Sequence, residues 1–239
     1  MKLSIVVPVY NEKNYVEEML NRVQRLEFPP EWNLEKEVVV VDDFSTDGSR
    51  EILKKFNNPV MILPNRPAFK VIFHDKNMGK GAALRTGFKH LTGDIVAIQD
   101  ADLEYDPLDL IPMIKLILED KADVVFGSRF YGNPHRVMYY HHYIGNRIIS
   151  TLINMLYDTM LTDVETCYKV FRRKVLDRIE LTCDDFGFEV EFTVKTAKTK
   201  LWRIYETGIS YYGRTYNEGK KIGWKDGIKA LWYAIKFRL

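Results

Sequence analysis

The run VVVVDD, Val38–Asp43, restricts the fold more than any other stretch of this chain. Four consecutive β-branched residues leave no polar face, so the strand they form is buried on both sides, as in a parallel sheet covered by helices. Short β-rich runs recur at Leu3–Val9, Val71–His74, Ile95–Gln99 and Asp123–Gly127. Helical patterns lie between them, at Asn14–Leu26, Asp47–Phe56, Gly81–Leu91 and Leu108–Glu119; in the first, Val16, Met19, Leu20 and Val23 share one face. This alternation predicts an α/β domain with a mostly parallel central sheet and helices on both faces. Beyond residue 130 the rhythm changes to a long helix, Tyr139–Met160, strands at Thr166–Phe171 and Leu201–Glu206, a helix after Gly187 and a last helix, Gly223–Phe237. Asn57–Ala68, with three prolines, reads as a loop insertion. No linker is visible in the 239 residues, so a single domain is expected, in parts spanning 1–130, 131–213 and 214–239.

Charge narrows the partners. The net charge is only +2, which argues against a nucleic-acid binder. From Arg214 to Leu239, however, seven Lys/Arg face two Asp/Glu. A basic tail on a slightly acidic body suits phosphate or an anionic membrane surface. The two cysteines, Cys167 and Cys183, form no ligand cluster, so a reduced, cytoplasmic setting is expected. Met1–Lys2 leads straight into a strand pattern rather than a signal peptide. No run approaches the ~18 apolar residues that a spanning helix needs.

Four constellations carry chemistry. VVPVYNE, Val6–Glu12, ends a strand in a polar cluster at the carboxyl edge, where open α/β sheets bind ligands; Asn11 could equally cap the next helix. Asp42 and Asp43 end the buried strand, where a carboxylate can accept from a base N–H or a ribose hydroxyl. DKNMGKGAALRTG, Asp75–Gly87, sets glycines and lysines, Lys80 among them, around a helix start, which suits an anion or merely a permitted turn. QDADLEYD places Asp100, Asp102 and Glu104 in alternation directly after a strand, and hard oxygens at that spacing suit Mg²⁺ or Mn²⁺. Asp106 before Pro107 is a helix cap.

Together with FGSRF, these phrases resemble, in order and spacing, glycosyltransferase family 2, of GT-A fold. TDVETCYKVFRR, FGFEVEF and RTYNEGKKIGWKDG look like its polyprenyl-phosphate branch, which includes dolichol-phosphate mannose and glucose synthases. The resemblance implies a nucleotide-binding half at 1–130 and an acceptor half at 131–213. It implies that Pro8, Tyr10, Asn11, Glu12, Val41 and Asp43 line the nucleoside pocket and that Lys80 faces the donor. Asp100, Ala101 and Asp102 would hold diphosphate and metal, with Glu104 a further ligand. Arg129 would reach the sugar phosphate or acceptor, Asp163 would lie near the acceptor, and Arg214 and Lys220 would clamp phosphates.

The implied reaction is inverting, metal-dependent transfer of a hexose from a nucleotide sugar donor to a polyprenyl phosphate acceptor in the membrane; the DVETCYKVFR phrase leans towards glucose. A phosphate monoester, with its second pKa near ~6, is already ionised and needs cations more than a base. Arg129, Arg147, Lys169, Arg172, Arg214, Lys220 and Lys221 are the candidates, and Asp163 is expected to orient the acceptor or one of them. Ile228, Leu231, Trp232 and Ile235 form an apolar stripe on the last helix, and the Tyr139–Met160 helix carries tyrosines. Both suit a peripheral seat on the inner face of the cell membrane, although the stripe also fits packing on the core. A family 2 transferase extending a saccharide hydroxyl and a non-catalytic nucleotide-sugar-binding module are the alternatives.

Overall fold

The computed structural model describes residues 1–56, 68–137, 139–215 and 223–238. Its seven strands are β1 (Lys2–Val9), β2 (Glu35–Asp42), β3 (Ala68–Phe73), β4 (Ile95–Ile98), β5 (Val124–Ser128), β6 (Lys169–Arg172) and β7 (Ile204–Gly208). They form one sheet in the order β3-β2-β1-β4-β6-β5-β7. All neighbours pair in parallel except β6, which runs antiparallel to both β4 and β5. Seven α-helices accompany the sheet: α1 (Val16–Arg25), α2 (Ser49–Phe56), α3 (Lys80–Phe88), α4 (Leu110–Leu118), α5 (Tyr140–Tyr157), α6 (Phe188–Thr199) and α7 (Trp224–Lys236).

The valine run behaves as its composition demands. Val38–Val41 are buried, and so are both alternating sets on β1, Ile5 and Val7 on one face and Val6 on the other. Strands whose two faces are both dry must carry helices on both faces. Helix α3 covers the Val6 face, approaching so closely that a side chain at Gly87 would strike Val6.

The register gathers the site. Val9 lies beside Asp42, Asp42 beside Phe73, and Val6 beside Ile98. The chain therefore leaves β1, β2, β3 and β4 at one edge, delivering Tyr10, Asp43, His74 and Gln99–Asp102 there. Because β6 is reversed, it is its amino end that reaches this edge, with Ala97 beside Val170 and Phe126 beside Lys169. The segment before β6, Asp163–Cys167, thus joins residues far away in sequence. Lys169 and Phe171 share one face of β6 and meet α6, Lys169 through Glu189 and Phe171 through the Phe192 ring, 4.7 Å away.

Some expected boundaries move for local reasons. Helix α5 stops at Tyr157 because Asp158 is left-handed (φ 55°) and Asn154 Oδ1 accepts from Leu161 N at 3.0 Å. β6 begins at Lys169, three residues later than the Thr166 start expected from the β-rich run, and Cys167 turns to a cleft instead. The proposed insertion lies outside the described residues except for Ala68, which opens β3.

The anion expected at the α3 amino terminus turns out to be the protein's own. Asp43 accepts from Met78 N (2.8 Å) and Gly79 N (2.7 Å), and His74 Nδ1 lies 2.8 Å from its Oδ1. Gly79 has φ 96°, and any Cβ there would collide with the Asp184 carbonyl. Gly79→Ala should therefore cost at least about 1–3 kcal/mol of stability, read from denaturant midpoints, because strain and overlap add.

Candidate active site

A cleft of about 420 Å³ opens along the gathered edge. Its walls include Pro8, Tyr10, Glu12, Asp43, Lys80, Asp100, Ala101, Asp102, Glu104, Arg129 and Arg214. Three expected residues stand behind the wall instead. Val41 is fully buried, and its side chain faces α3 near Gly87. Asn11 takes a left-handed turn (φ 51°), and its Oδ1 accepts from Thr46 N at 2.8 Å. Asp163 is 0% exposed and lies beneath Arg129. Lys220 and Lys221 lie outside the described residues.

The acids are neutralised by two cations. Arg214 donates from Nη1 to Glu12 Oε2 (3.0 Å), from Nη2 to Asp102 Oδ2 (2.7 Å) and from Nε to Glu104 Oε1 (3.1 Å). Lys80 sits 2.9 Å from Asp100 Oδ1 and 3.0 Å from Glu189 Oε1. Glu189 continues to the fully buried Lys169, so Asp100, Lys80, Glu189 and Lys169 form an alternating chain of charge. Burial, with Asp100 and Glu104 alongside, pushes the Asp102 carboxyl up to about 7 against the pull of Arg214. Two carboxyls side by side, Asp100 and Asp102, are fitting partners for a divalent cation that takes one or two carboxylates and completes its shell with phosphate oxygens and water.

Glu104, expected as a further ligand, is engaged by the protein's own donors. Its Oε1 accepts from Arg214 N (3.0 Å) and Nε, and its Oε2 accepts from the Tyr211 hydroxyl at 3.0 Å. Among the described residues, no three His, Cys, Asp or Glu side chains converge on a metal position. Glu104 thus anchors the segment that carries Arg214.

Elsewhere on the cleft wall, Arg129 forms a bidentate pair with Asp163 behind it, 2.7 Å on each arm, and Arg129 N also donates to Asp163 Oδ2 at 3.0 Å. Both Asp163 oxygens are engaged. Glu206 on β7 in turn accepts from Thr162 N (2.9 Å) and Asp163 N (3.2 Å), which fixes the loop. Asn146 of α5 accepts from Arg129 Nη2 at 3.3 Å, and His142 of α5 with Asp226 and Lys229 of α7 also lines the cleft.

Of the cations proposed from sequence, Lys169 is committed to Glu189. Arg172 lies at the opposite sheet edge, bonded to Ile117 O and Asp120. Antiparallel β6 sends its two ends to opposite edges, and that direction is not encoded in the local pattern. Sequence reasoning also missed Glu165 on the cleft wall, which Glu189 lines as well. Glu191 turns away and accepts from the amides of Thr182 and Cys183, at 2.8 Å each.

The description "Glycosyl transferase family 2" matches residues 4–180, about three quarters of the chain. The chain belongs to that family. Among curated relatives it is 27% identical to a dolichol-phosphate mannosyltransferase of Pyrococcus furiosus, over 93% of this chain and 61% of that protein. It is 27% identical to an undecaprenyl-phosphate 4-deoxy-4-formamido-L-arabinose transferase of Proteus mirabilis, over 92% of this chain and 62% of that protein. The chain thus spans less than two thirds of either relative's length. In fold it is similar to glucosyl-3-phosphoglycerate synthase from Mycobacterium tuberculosis, solved with Mn²⁺, uridine diphosphate and phosphoglyceric acid, with a TM-score of 0.70 at 16% identity over 99% of this chain and 78% of that one. It also resembles S. aureus TarS in complex with UDP-GlcNAc, with a TM-score of 0.59 at 23% identity over 96% of this chain and 64% of that one. The GT-A fold expected from the sequence is the one observed.

The buried pair behind the cleft has a measurable consequence. Asp163→Ala strands a buried guanidinium and should cost about 3–5 kcal/mol in denaturant unfolding. Asp163→Asn keeps the shape and one acceptor and should cost less.

Proposed function

We propose that this chain transfers a hexose from a nucleotide diphosphate sugar to a polyprenyl phosphate, with inversion and with the help of Mg²⁺ or Mn²⁺. The observation that carries the reading is that one cleft holds both kinds of group such a transfer needs. Asp100 and Asp102 line it with Lys80 and Arg214, and Arg129 lines it too, held rigidly by both oxygens of Asp163. The names of the two curated relatives, both lipid-phosphate sugar transferases, point the same way.

In this reading Pro8, Tyr10 and Asp43 border the nucleoside. Asp100 and Asp102 hold the cation, which when bound offsets the charge that develops on the departing diphosphate. Lys80 and Arg214 address the diphosphate from either side, and Arg214 exchanges one or more of its carboxylates for phosphate oxygens. Arg129 receives the acceptor phosphate and offsets its repulsion from the donor. The acceptor is already ionised, so Asp163 has no proton to remove and serves to aim Arg129.

The decisive assay incubates the protein and Mn²⁺ with UDP-glucose, GDP-mannose or UDP-N-acetylglucosamine and a short polyprenyl phosphate, with product identified by mass. Product with the phosphate and none with the matching polyprenol or a free saccharide is expected; the reverse would favour a hydroxyl acceptor. Arg129→Ala should lower kcat by about 10²–10³, the loss typical of a group that stabilises transition-state charge. Azide or formate should not restore turnover to Asp163→Ala.

A membrane seat accompanies the lipid acceptor. Among the described residues no helix is long and apolar enough to cross a membrane. Helix α7 buries Ala230 and Ala234, and Tyr157 of α5 donates its hydroxyl to Ala234 O at 2.7 Å. The stripe splits accordingly: Leu231 is partly buried, whereas Ile228, Trp232 and Ile235 are 58%, 61% and 47% exposed. Tyr140, Tyr143, Ile144 and Ile148 are exposed on neighbouring α5, and residues of both helices line the cleft. Replacing Ile228, Trp232 and Ile235 together by Ser should abolish flotation with anionic liposomes and leave the melting temperature unchanged. Unchanged flotation would remove the helix from this role.

A further inference from the structure

Glu165 is a charged group on the cleft wall that the reaction described above does not use. Its Oε1 is buried and has no hydrogen-bond partner among the described residues. It lies in the segment entering β6, near Arg129 on one side and near Glu189 and Lys169 on the other. Burial first, then the Glu189 charge, push its carboxyl up to about 7 against the pull of Arg129 and Lys169. An unmet buried acceptor is costly, so a ligand that supplies a donor there gains what the free protein lacks.

The surroundings select the ligand's chemistry. A phosphate would meet two acids, Glu165 and Glu189. Lys169 is committed to Glu189, and Arg129 and Lys80 are assigned to the acceptor phosphate and the diphosphate in the reaction proposed above. A metal ion is disfavoured too, because Glu189 is already held by Lys80 and Lys169. A neutral polyol suits the place, because each hydroxyl brings a proton donor and no charge. The position agrees: Glu165 lines the cleft near Arg129 and near Glu189, whose partner Lys80 also meets Asp100, so it stands by the transferred group if the glycosyl-transfer reading holds, and the inference rests on that reading.

We propose that Glu165 is a sugar-contacting residue whose free carboxylate oxygen accepts a hydrogen bond from a hydroxyl of the donor hexose.

The test titrates wild type, Glu165→Ala and Glu165→Gln by calorimetry in Mn²⁺ with UDP, UDP-glucose, UDP-N-acetylglucosamine, GDP and GDP-mannose. Wild type should bind at least one nucleotide sugar more tightly than its nucleoside diphosphate. Glu165→Ala should lose about 10- to 100-fold in affinity for that sugar nucleotide, as expected for a hydrogen bond to a charged group. Its affinity for the nucleoside diphosphate should stay within about twofold, since that contact is made elsewhere. Glu165→Gln, whose amide oxygen still accepts, should fall between. Equal loss for both ligands, no loss, or a fall in kcat at unchanged sugar-nucleotide affinity would each overturn the proposal; the last would mark a proton-transfer role. If wild type binds none of the five nucleotides, the glycosyl-transfer reading itself falls and takes this inference with it.

Stability supplies a second readout. The native carboxyl keeps its proton up to about 7, whereas an ordinary glutamate releases it near 4.5. Between these values the unfolded chain binds fewer protons than the native one, so wild-type stability falls as pH rises. Glu165→Gln does not titrate, so its melting temperature should match wild type near pH 4.5 and exceed it at pH 8. A Gln variant that melts below wild type at pH 8 would show Glu165 to be a structural prop and overturn the proposal.

Discussion

Crowded negative charge at one sheet edge is the constraint that organises this molecule. Glu12, Asp100, Asp102, Glu104 and Glu189 all reach the cleft, and such a gathering is tolerable only if cations are interleaved. The fold interleaves two. Lys80, at the start of α3, bridges Asp100 and Glu189; Arg214, from the segment after β7, bridges Glu12, Asp102 and Glu104. These pairs tie elements distant in sequence to one edge, and they leave the acids pre-arranged for a ligand that carries both negative phosphate and a cation.

The second organising device is the reversed strand. A sheet of parallel strands alone would bring only strand carboxyl ends to this edge. With β6 reversed, the residues before it arrive as well: Asp163 to hold Arg129, Glu165 and Cys167 to face the cleft, and Lys169 to balance Glu189. Residues of α5 and α7 also line the cleft, and both helices carry exposed apolar side chains.

Much of this was legible in the chain itself. The valine run required a sheet buried on both faces, and the βαβ rhythm required parallel neighbours, because each pattern reflects burial that every residue experiences locally. Asp106 accepts from Leu108 N at 3.0 Å, as its place before Pro107 implied. Less legible were roles that depend on partners. Asp43 was read as a ligand group and does line the cleft, but the Met78 and Gly79 amides that hold its oxygens could not be read from its own stretch of chain. Glu104 was read with Asp100 and Asp102 because the three alternate, yet the chain turns after β4, Leu103 is left-handed at φ 59°, and the alternation no longer selects one face.

The sequence by itself determined the sheet, its parallel core and the acids that end its strands, since side-chain pattern and strand-end position are local properties. Only the tertiary structure decided which acids are already neutralised and which are not. Asp163 and Glu165 are two residues apart, yet one is locked to Arg129 and the other has an oxygen without a partner. The difference lies in what β5, α6 and the reversed strand bring within hydrogen-bond reach, because a carboxylate's charge state and availability are set by its neighbours in space.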